Sequence, residues 1–410
     1  MRVQRSTVAP SLSEHTRSSA DTFEYCDPLD CFGFSSADAD LSAPANVWVE
    51  PPAKPRRFIR IQPEFHSDPD HVGLFSGFAQ DTIVSPPPFI ATVRNARLVG
   101  FRTTLTETGF FFNDDSIQGR TPRNQFLKEL AMPYPFSELT GLRPLGTGER
   151  FALDLGTRRV LRVRGTVVVL SSAEPSNYGS WLFRVLPKFH ARERFLPKKR
   201  LRYLVWCEHS TFQEYLYLLG VSADQIIHHD PENVVYQIQR AIIPSMRNNQ
   251  AFLDPESVAF FAEMRDKFGC RQKEGMRIYV SRVSQTQNGH SRAMLNELDL
   301  VAKLVQMGFR IVEPESLPVA TQISVFSSAE MVVGPSGSGM FNTVFCHPGT
   351  KVIDIESEPH WIHAHRNLFA SCGLRYGIFV GSSLDRDYRE HHKPWRVNIG
   401  SLISQIERWS

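Results

Sequence analysis

The stretch RIYVSRVSQTQNGHSRAMLNELDLVAKLVQMGFRIVEP (277–314) decides the fold. It opens on a short apolar run with the makings of a buried strand. After a polar loop it continues as MLNELDLVAKLVQMG, in which Met294, Leu298, Val301 and Leu304 recur at helical spacing and Gly308 provides the stop. FRIVEP is a second strand. A strand, a helix of 10–15 residues and another strand form a parallel βαβ unit, because a parallel return needs a crossover.

Downstream the alternation repeats. PVATQISVFSSA is a helix opened by Pro318, EMVVGP a strand, GMFNTVFC a short helix, KVIDIES a strand, WIHAHRNLFASCG a helix ending at Gly373, and RYGIFVG a strand. Five strands alternating with helices predict a doubly wound α/β domain over residues 251–385. The amphipathic VNIGSLISQIERW, within 386–410, is expected to pack back on the N-terminal domain. Upstream, TVVVLSS, NYGSWLFRVLPKF (Trp181, Val185, Leu186 and Phe189 at helical spacing), RYLVWCE, TFQEYLYLLG, QIIHHD and NVVYQIQRAIIP form a second alternating series. It follows a Pro-rich region of short β-like runs, so residues 46–250 are expected to form an N-terminal domain with a β-rich start. Residues 1–45, rich in Ser, Ala, Asp and Thr, read as a flexible tail outside the fold. Tandem α/β units place a ligand crevice between them, at the carboxyl ends of the strands.

Composition narrows the function classes. The chain has 410 residues, 41% apolar and 22% charged, which excludes collagen, a coiled-coil rod and wholesale disorder. With 46 Lys and Arg against 43 Asp and Glu, no overall field draws it to nucleic acid. Six cysteines without a CxxC pair suggest reduced thiols and no zinc site. No run of 18 apolar residues and no signal-peptide core is present, so a cytoplasmic location is expected.

Three stretches could carry chemistry. In AEMVVGPSGSGMFN (329–342) a strand runs into Gly334, Gly337 and Gly339 and then a helix, a turn whose free N–H groups suit a phosphate. An ordinary tight turn with Gly for packing is the plain alternative. It is neither a P-loop nor a G-x-S-x-G elbow around Ser336, since position 338 is Ser. In 277–300, Arg282 leaves a strand end and Arg292 opens the next helix, a pair suited to clamping a diphosphate, with Glu297 an intramolecular partner for one of them. From Arg184 to Arg202, eight Lys or Arg stand against Glu193 alone, which reads either as a solvated helix end or as a surface for an anionic donor, an acidic acceptor glycan or peripheral association with a membrane. His360, His363 and His365 fit no familiar metal-ligand spacing.

The order RIYVSR, Arg292 to Asn296-Glu297, GFRIVEPE (308–315), Gln322-Ile323, Gly334 to Asn342 and FCHPGTKVIDI (345–355) resembles family 61 glycosyltransferases, and NYGSWLFRVLPKF (177–189) resembles that family's N-terminal signature. The resemblance implies a GT-B architecture, two Rossmann-like domains facing each other. It also implies metal-independent, inverting transfer from a nucleotide-diphosphate sugar to a saccharide hydroxyl, as in bacterial surface polysaccharide synthesis, with no cofactor. Donor contacts fall on Arg282, Arg292, Asn296, Glu315, Gly334, Ser336, Gly337, Ser338, Gly339 and Asn342. Two departures stand out: Ser180 replaces a usual His, and Arg184 replaces the usual acidic base. An arginine cannot accept the proton, so Glu174, after the strand TVVVLSS, becomes the expected base and Arg184 a binder of phosphate or acidic acceptor. Two alternatives remain at this point: a non-catalytic nucleotide-sugar or glycan-binding member, and a hydrolase using Ser336.

Overall fold

The computed structural model describes residues 22–26, 28, 32–34, 44–49, 56–59, 61–68, 82–85, 87–114, 141–145, 150–172, 174–189, 201–207, 209–247, 252–287, 292–357, 364–383 and 394–409. The described residues form a mixed α/β structure on two large sheets. The first contains β1 (Phe89–Val99), β2 (Arg159–Val169), β3 (Arg202–Val205), β4 (Ile226–His228) and β5 (Val234–Pro244), in spatial order β1-β5-β2-β3-β4. β5, β2, β3 and β4 are mutually parallel, and β1 lies antiparallel on β5. A helical segment from Tyr178 joins β2 to β3, and helix α1 (Ser210–Leu218) joins β3 to β4.

The second sheet contains β6 (Met276–Val280), β7 (Arg310–Val312), β8 (Ala329–Pro335), β9 (Lys351–Glu356) and β10 (Arg375–Val380), all parallel, in the order β7-β6-β8-β9-β10. Helix α2 (Pro255–Phe268) precedes it, capped by the Asp254 carboxylate on the Ser257 N–H at 2.8 Å and started by Pro255. Helices α3 (Glu297–Gln306), α4 (Val319–Ser328) and α5 (Ala364–Ser371) make the crossovers, and a 3₁₀ segment, Ser338–Phe345, bridges β8 to β9. The five strands and their alternation are those expected from sequence. In this order the chain reverses direction between β6 and β8, the position where open α/β sheets bind ligands.

Four expectations are corrected. On α3 the buried side chains are Glu297, Leu300 and Leu304, while Leu298 is 66% exposed, because the seam runs 297, 300, 304 rather than through 298. Thr22–Tyr25 pairs with Arg150–Leu153 and Phe110–Phe112, so this part of the expected tail belongs to the first sheet, anchored by buried Phe23. Phe65–His66, upstream of the N-terminal α/β series, adds a parallel strand to β10 of the second sheet. Finally, helix α6 (Ile399–Trp409) buries Leu402 and Ile406 against Tyr279, Leu300, Val333 and Ile353, so it covers the C-terminal sheet and not the N-terminal domain.

One apolar core spans both sheets. It joins Val168 of β2 and the following Leu170, Trp181 and Leu186 of the crossover, and Ile278, Val332 and Val352 of the second sheet. Beneath the carboxyl end of β2 lies a buried ionic network: the Asp114 carboxylate is 2.5 Å from Lys188 Nζ, 3.0 Å from Arg102 Nη1, and accepts from Ser172 Oγ at 2.6 Å. Burial by itself raises the Asp114 pKa, but the charges of Lys188 and then Arg102 outweigh it and hold it at about 2. Nearby His229, fully buried with Nδ1 2.5 Å from Ser171 Oγ, is pushed down to about 3 by burial.

Both groups bind fewer protons folded than unfolded, so stability rises with pH across their windows. The Asp114 contribution is present above its unfolded value near 4 and is lost as pH falls toward 2. The His229 contribution is present above about 6.5 and is lost as pH falls toward 3. At pH 5 His229 alone should cost about 2 kcal/mol. The melting temperature is therefore expected to drop between pH 7 and pH 5, and His229→Gln to flatten that slope. An unchanged slope in the variant would refute the assignment.

Candidate active site

The two arginines meet at the reversal point between β6 and β8. Arg282 leaves β6, and its backbone N–H donates to Glu297 Oε1 at 2.7 Å, which also accepts from the Tyr279 and Ser281 hydroxyls, both at 3.2 Å. Glu297 is thus the expected partner, acting through the Arg282 main chain to fix where the side chain starts. Burial raises the Glu297 pKa. Arg282 Nη1 reaches the Ser336 carbonyl at 3.5 Å. Arg292 has φ +68°, a left-handed backbone that ordinary residues enter at a cost. A Cβ on Gly337 would stand 2.3 Å from Arg282 Nη1, so glycine lets that guanidinium close on the turn, and 3.9 Å from Arg292 Nη2, which places the second guanidinium beside the same residue. Gly334 is equally constrained, since its Cβ would meet Met340 Sδ at 2.8 Å and Val280 Cβ at 2.9 Å. Gly339 would touch Val280 at 3.2 Å, and Asn342 ties the turn by donating to the Gly339 carbonyl at 3.2 Å.

Burial lowers the pKa of both arginines, and for Arg292 the neighbouring Arg282 charge adds to bring it to about 10. Both remain cationic at neutral pH. Behind them, Asp354 and Glu356 stand two apart on β9, both buried. Burial and the neighbouring Asp354 push Glu356 well above the carboxylate range.

Glu315 follows β7 and accepts from Ser284 Oγ at 2.6 Å, exposed at the rim beside the Arg282 charge. An acid at the end of the second strand is where nucleotide-binding α/β folds receive ribose hydroxyls. Asn296 is engaged elsewhere: its amide donates to the Val397 carbonyl at 2.8 Å and accepts from the Val397 N–H at 3.1 Å, holding the C-terminal segment. Asn288 and His290 lie outside the described residues, as do His360 and His363.

The hydrolase reading of Ser336 fails on geometry. Ser336 Oγ lies 3.2 Å and Asp354 Oδ2 3.0 Å from the same nitrogen, Nδ1 of His365. A serine nucleophile needs its base through the opposite nitrogen from the carboxylate.

The N-terminal unit contributes the other wall. Asn177 caps the Tyr178–Ser180 turn by accepting from the Ser180 N–H at 3.1 Å, and Trp181–Val185 continues as a π-helix, a rare form that recurs at functional sites. Ser180 Oγ donates to Glu174 Oε2 at 2.8 Å, and Arg184 Nη1 lies 3.1 Å from the same oxygen. Glu174 has φ +49° and is half exposed. Backbone strain of this kind recurs at active sites and ligand clamps.

The walls touch directly. Ser338 Oγ lies 3.3 Å from Asn177 Oδ1, and Tyr178 Oη lies 2.6 Å from Asn342 Oδ1, 2.9 Å from Gln322 Oε1 and 2.8 Å from Tyr215 Oη. Phe183 stacks on Phe341 at 5.4 Å, and the Arg184 guanidinium lies over the Phe183 ring at 4.9 Å. Within the basic cluster, residues 190–200 lie outside the described residues; Lys188 is buried on Asp114 and Arg184 is paired, so neither is a free surface charge. The tyrosine-centred contacts and the Asp354–Glu356 pair were not expected from sequence, although two acids at alternate positions of the apolar run KVIDIE were a legible sign of one polar face.

Among the described residues no group of three or more His, Cys, Asp or Glu is arranged to hold a metal ion, and no helix is long and apolar enough to cross a membrane. Residues 178–353 match the family model described as Glycosyltransferase 61. The matched span includes the Tyr178–Val185 wall, both arginines and the Gly-rich turn. No curated protein matches the chain.

Proposed function

We propose that this chain is a glycosyltransferase that moves a sugar from a nucleotide diphosphate to a saccharide hydroxyl, with inversion and without a metal ion. The observation that carries the reading is the convergence of Arg282 and Arg292 on Gly337, at the reversal point of a parallel sheet, inside the span that matches the glycosyltransferase family. Two half-buried cations beside a glycine turn can stabilise a leaving diphosphate as its charge develops. Glu315 would take the ribose hydroxyls, and Ser336, Ser338 and Asn342 would line the donor turn. A facing, GT-B-like arrangement is supported by the segments leaving β2 and β8, which meet through Asn177–Ser338 and Tyr178–Asn342.

In the transfer step the acceptor oxygen attacks the anomeric carbon, the bond from that carbon to the diphosphate oxygen breaks, and the electron pair leaves with the diphosphate. The acceptor proton goes to the Glu174 carboxylate. Arg184 and Ser180 hold that carboxylate, which replaces an acid on the helix itself. A role in surface polysaccharide synthesis at the cytoplasmic face of a membrane fits this chemistry. The competing reading, a non-catalytic nucleotide-sugar binder, draws on the engagement of Glu174 by Arg184.

Turnover of labelled nucleotide sugars across an acceptor panel separates the two readings. Arg282→Ala should weaken nucleoside diphosphate binding by about 2–4 kcal/mol in calorimetry. Unweakened binding in a folded variant would place the donor elsewhere. Turnover is also expected to survive EDTA, and complete loss restored by Mn²⁺ would overturn the metal-independent mechanism.

A further inference from the structure

At the amino ends of the same strands lies a cavity of about 300 Å³ lined by Lys273, Arg277, Glu330, Met331, Gly349 and Lys351. Register builds it. Arg277 is opposite Met331, Met331 opposite Lys351, and Lys351 opposite Arg375, so four adjacent strands set three cations in one row. Neighbouring strands are about 4.8 Å apart, and like charges in adjacent register destabilise a sheet.

Two members of the row have local partners. Arg375 makes a two-pronged contact with Glu64 at 2.6 and 2.7 Å. Arg277 donates to the Met307 carbonyl at 3.2 Å and covers the Phe309 ring at 4.4 Å, which fixes its guanidinium. The ammonium groups of Lys351 and Lys273 make no ion pair or hydrogen bond among the described residues. Glu330 is the single carboxylate of the lining, so three cations less one anion leave a charge of +2. Gly349, whose φ of +75° favours glycine, brings its backbone beside Lys273: Nζ lies 3.6 Å from where a Cβ would stand.

We propose that this cavity is a second anion site, taking a small phosphate-bearing polyanion. Along β8, Met331 and Ser336 are about 16 Å apart at ~3.3 Å per residue, so this ligand is not the diphosphate held by Arg282 and Arg292. The inference stands apart from the glycosyltransferase reading. An occupant would neutralise the row and stabilise the sheet by mass action.

The test is calorimetric titration with inorganic pyrophosphate of the Arg282→Ala chain, in which the donor site is impaired. Saturable one-to-one binding is expected to persist there. Adding Lys273→Met and Lys351→Met should weaken it at least tenfold without lowering the melting temperature, and Lys273→Arg with Lys351→Arg should retain it. Co-sedimentation with phosphatidylglycerol vesicles that the Met pair abolishes would identify the polyanion as a lipid headgroup; pyrophosphate binding without co-sedimentation would identify a free anion. Absence of saturable binding, or binding indifferent to the Met pair, would overturn the proposal.

Discussion

Glu174→Gln should lower turnover by about 10²–10⁴-fold while leaving donor binding intact, the range usual for losing a general base. The substitution keeps the side chain's size and its ability to accept from Ser180 Oγ, now at 2.8 Å, and removes only the basic carboxylate. Its strained φ of +49° is a property of the main chain and is unaffected by the change. Arg184 then loses its ionic partner at 3.1 Å, but at a site half open to solvent that loss is worth under about 1 kcal/mol of stability. Single-turnover kinetics beside nucleoside diphosphate binding separates the effects. Wild-type turnover in the Gln variant would eliminate Glu174 as the base, and a parallel loss of donor binding would make its role structural.

Lys188→Met is expected to destabilise the fold by about 3–5 kcal/mol, the usual cost of leaving a buried charge short of a partner. Lys188 is fully buried, and it couples two things: the Asp114 carboxylate at 2.5 Å and the Ser171 carbonyl at 2.8 Å, at the carboxyl end of β2. Arg102 and the Ser172 hydroxyl would then be left to hold Asp114. Urea denaturation should show a lower midpoint at unchanged slope. Because Asp114 would still hold Arg102 at 3.0 Å, adding Asp114→Asn should deepen the loss by taking the carboxylate from a buried guanidinium. A double variant as stable as Lys188→Met would show that the network matters through packing instead.

The second sheet was legible because its signals are local. Each strand there is a short apolar run bounded by glycine or proline, and Arg282, Arg292 and the glycines sit at strand ends whose place in a parallel sheet is fixed once the alternation is recognised. The exclusion of side chains at Gly337 was implicit in three glycines over six residues, though its cause, the Arg282 guanidinium closing on the turn, lies in through-space geometry. Features that depend on partners were not legible. Amphipathicity showed that VNIGSLISQIERW buries one face, but the face it meets belongs to Tyr279, Leu300 and Ile353, which no periodicity reveals. Asn296 sits in a motif that resembles a donor contact, yet its amide is taken by Val397, a hundred residues on. The π-helical turn at Trp181–Val185 has no sequence signature, and it is this turn that brings Ser180 and Arg184 to one carboxylate.

The short strand Phe65–His66 has a consequence for how this chain comes into being. It pairs with Gly377–Ile378, more than three hundred residues later, and the Phe65 ring lies where a Cβ on Gly377 would stand 2.0 Å from it. During synthesis the second sheet can assemble strand by strand from β6 onward, yet its last edge closes only when β10 emerges and finds a segment made near the beginning. Until then β10 presents open hydrogen-bonding groups and a vacant slot over glycine, the kind of edge on which chains associate wrongly. A fragment starting at residue 251 would carry that open edge permanently and should aggregate, whereas supplying residues 61–68 would seal it. The ribosome's order of delivery thus makes the earliest sheet segment the final piece of the domain that holds both arginines.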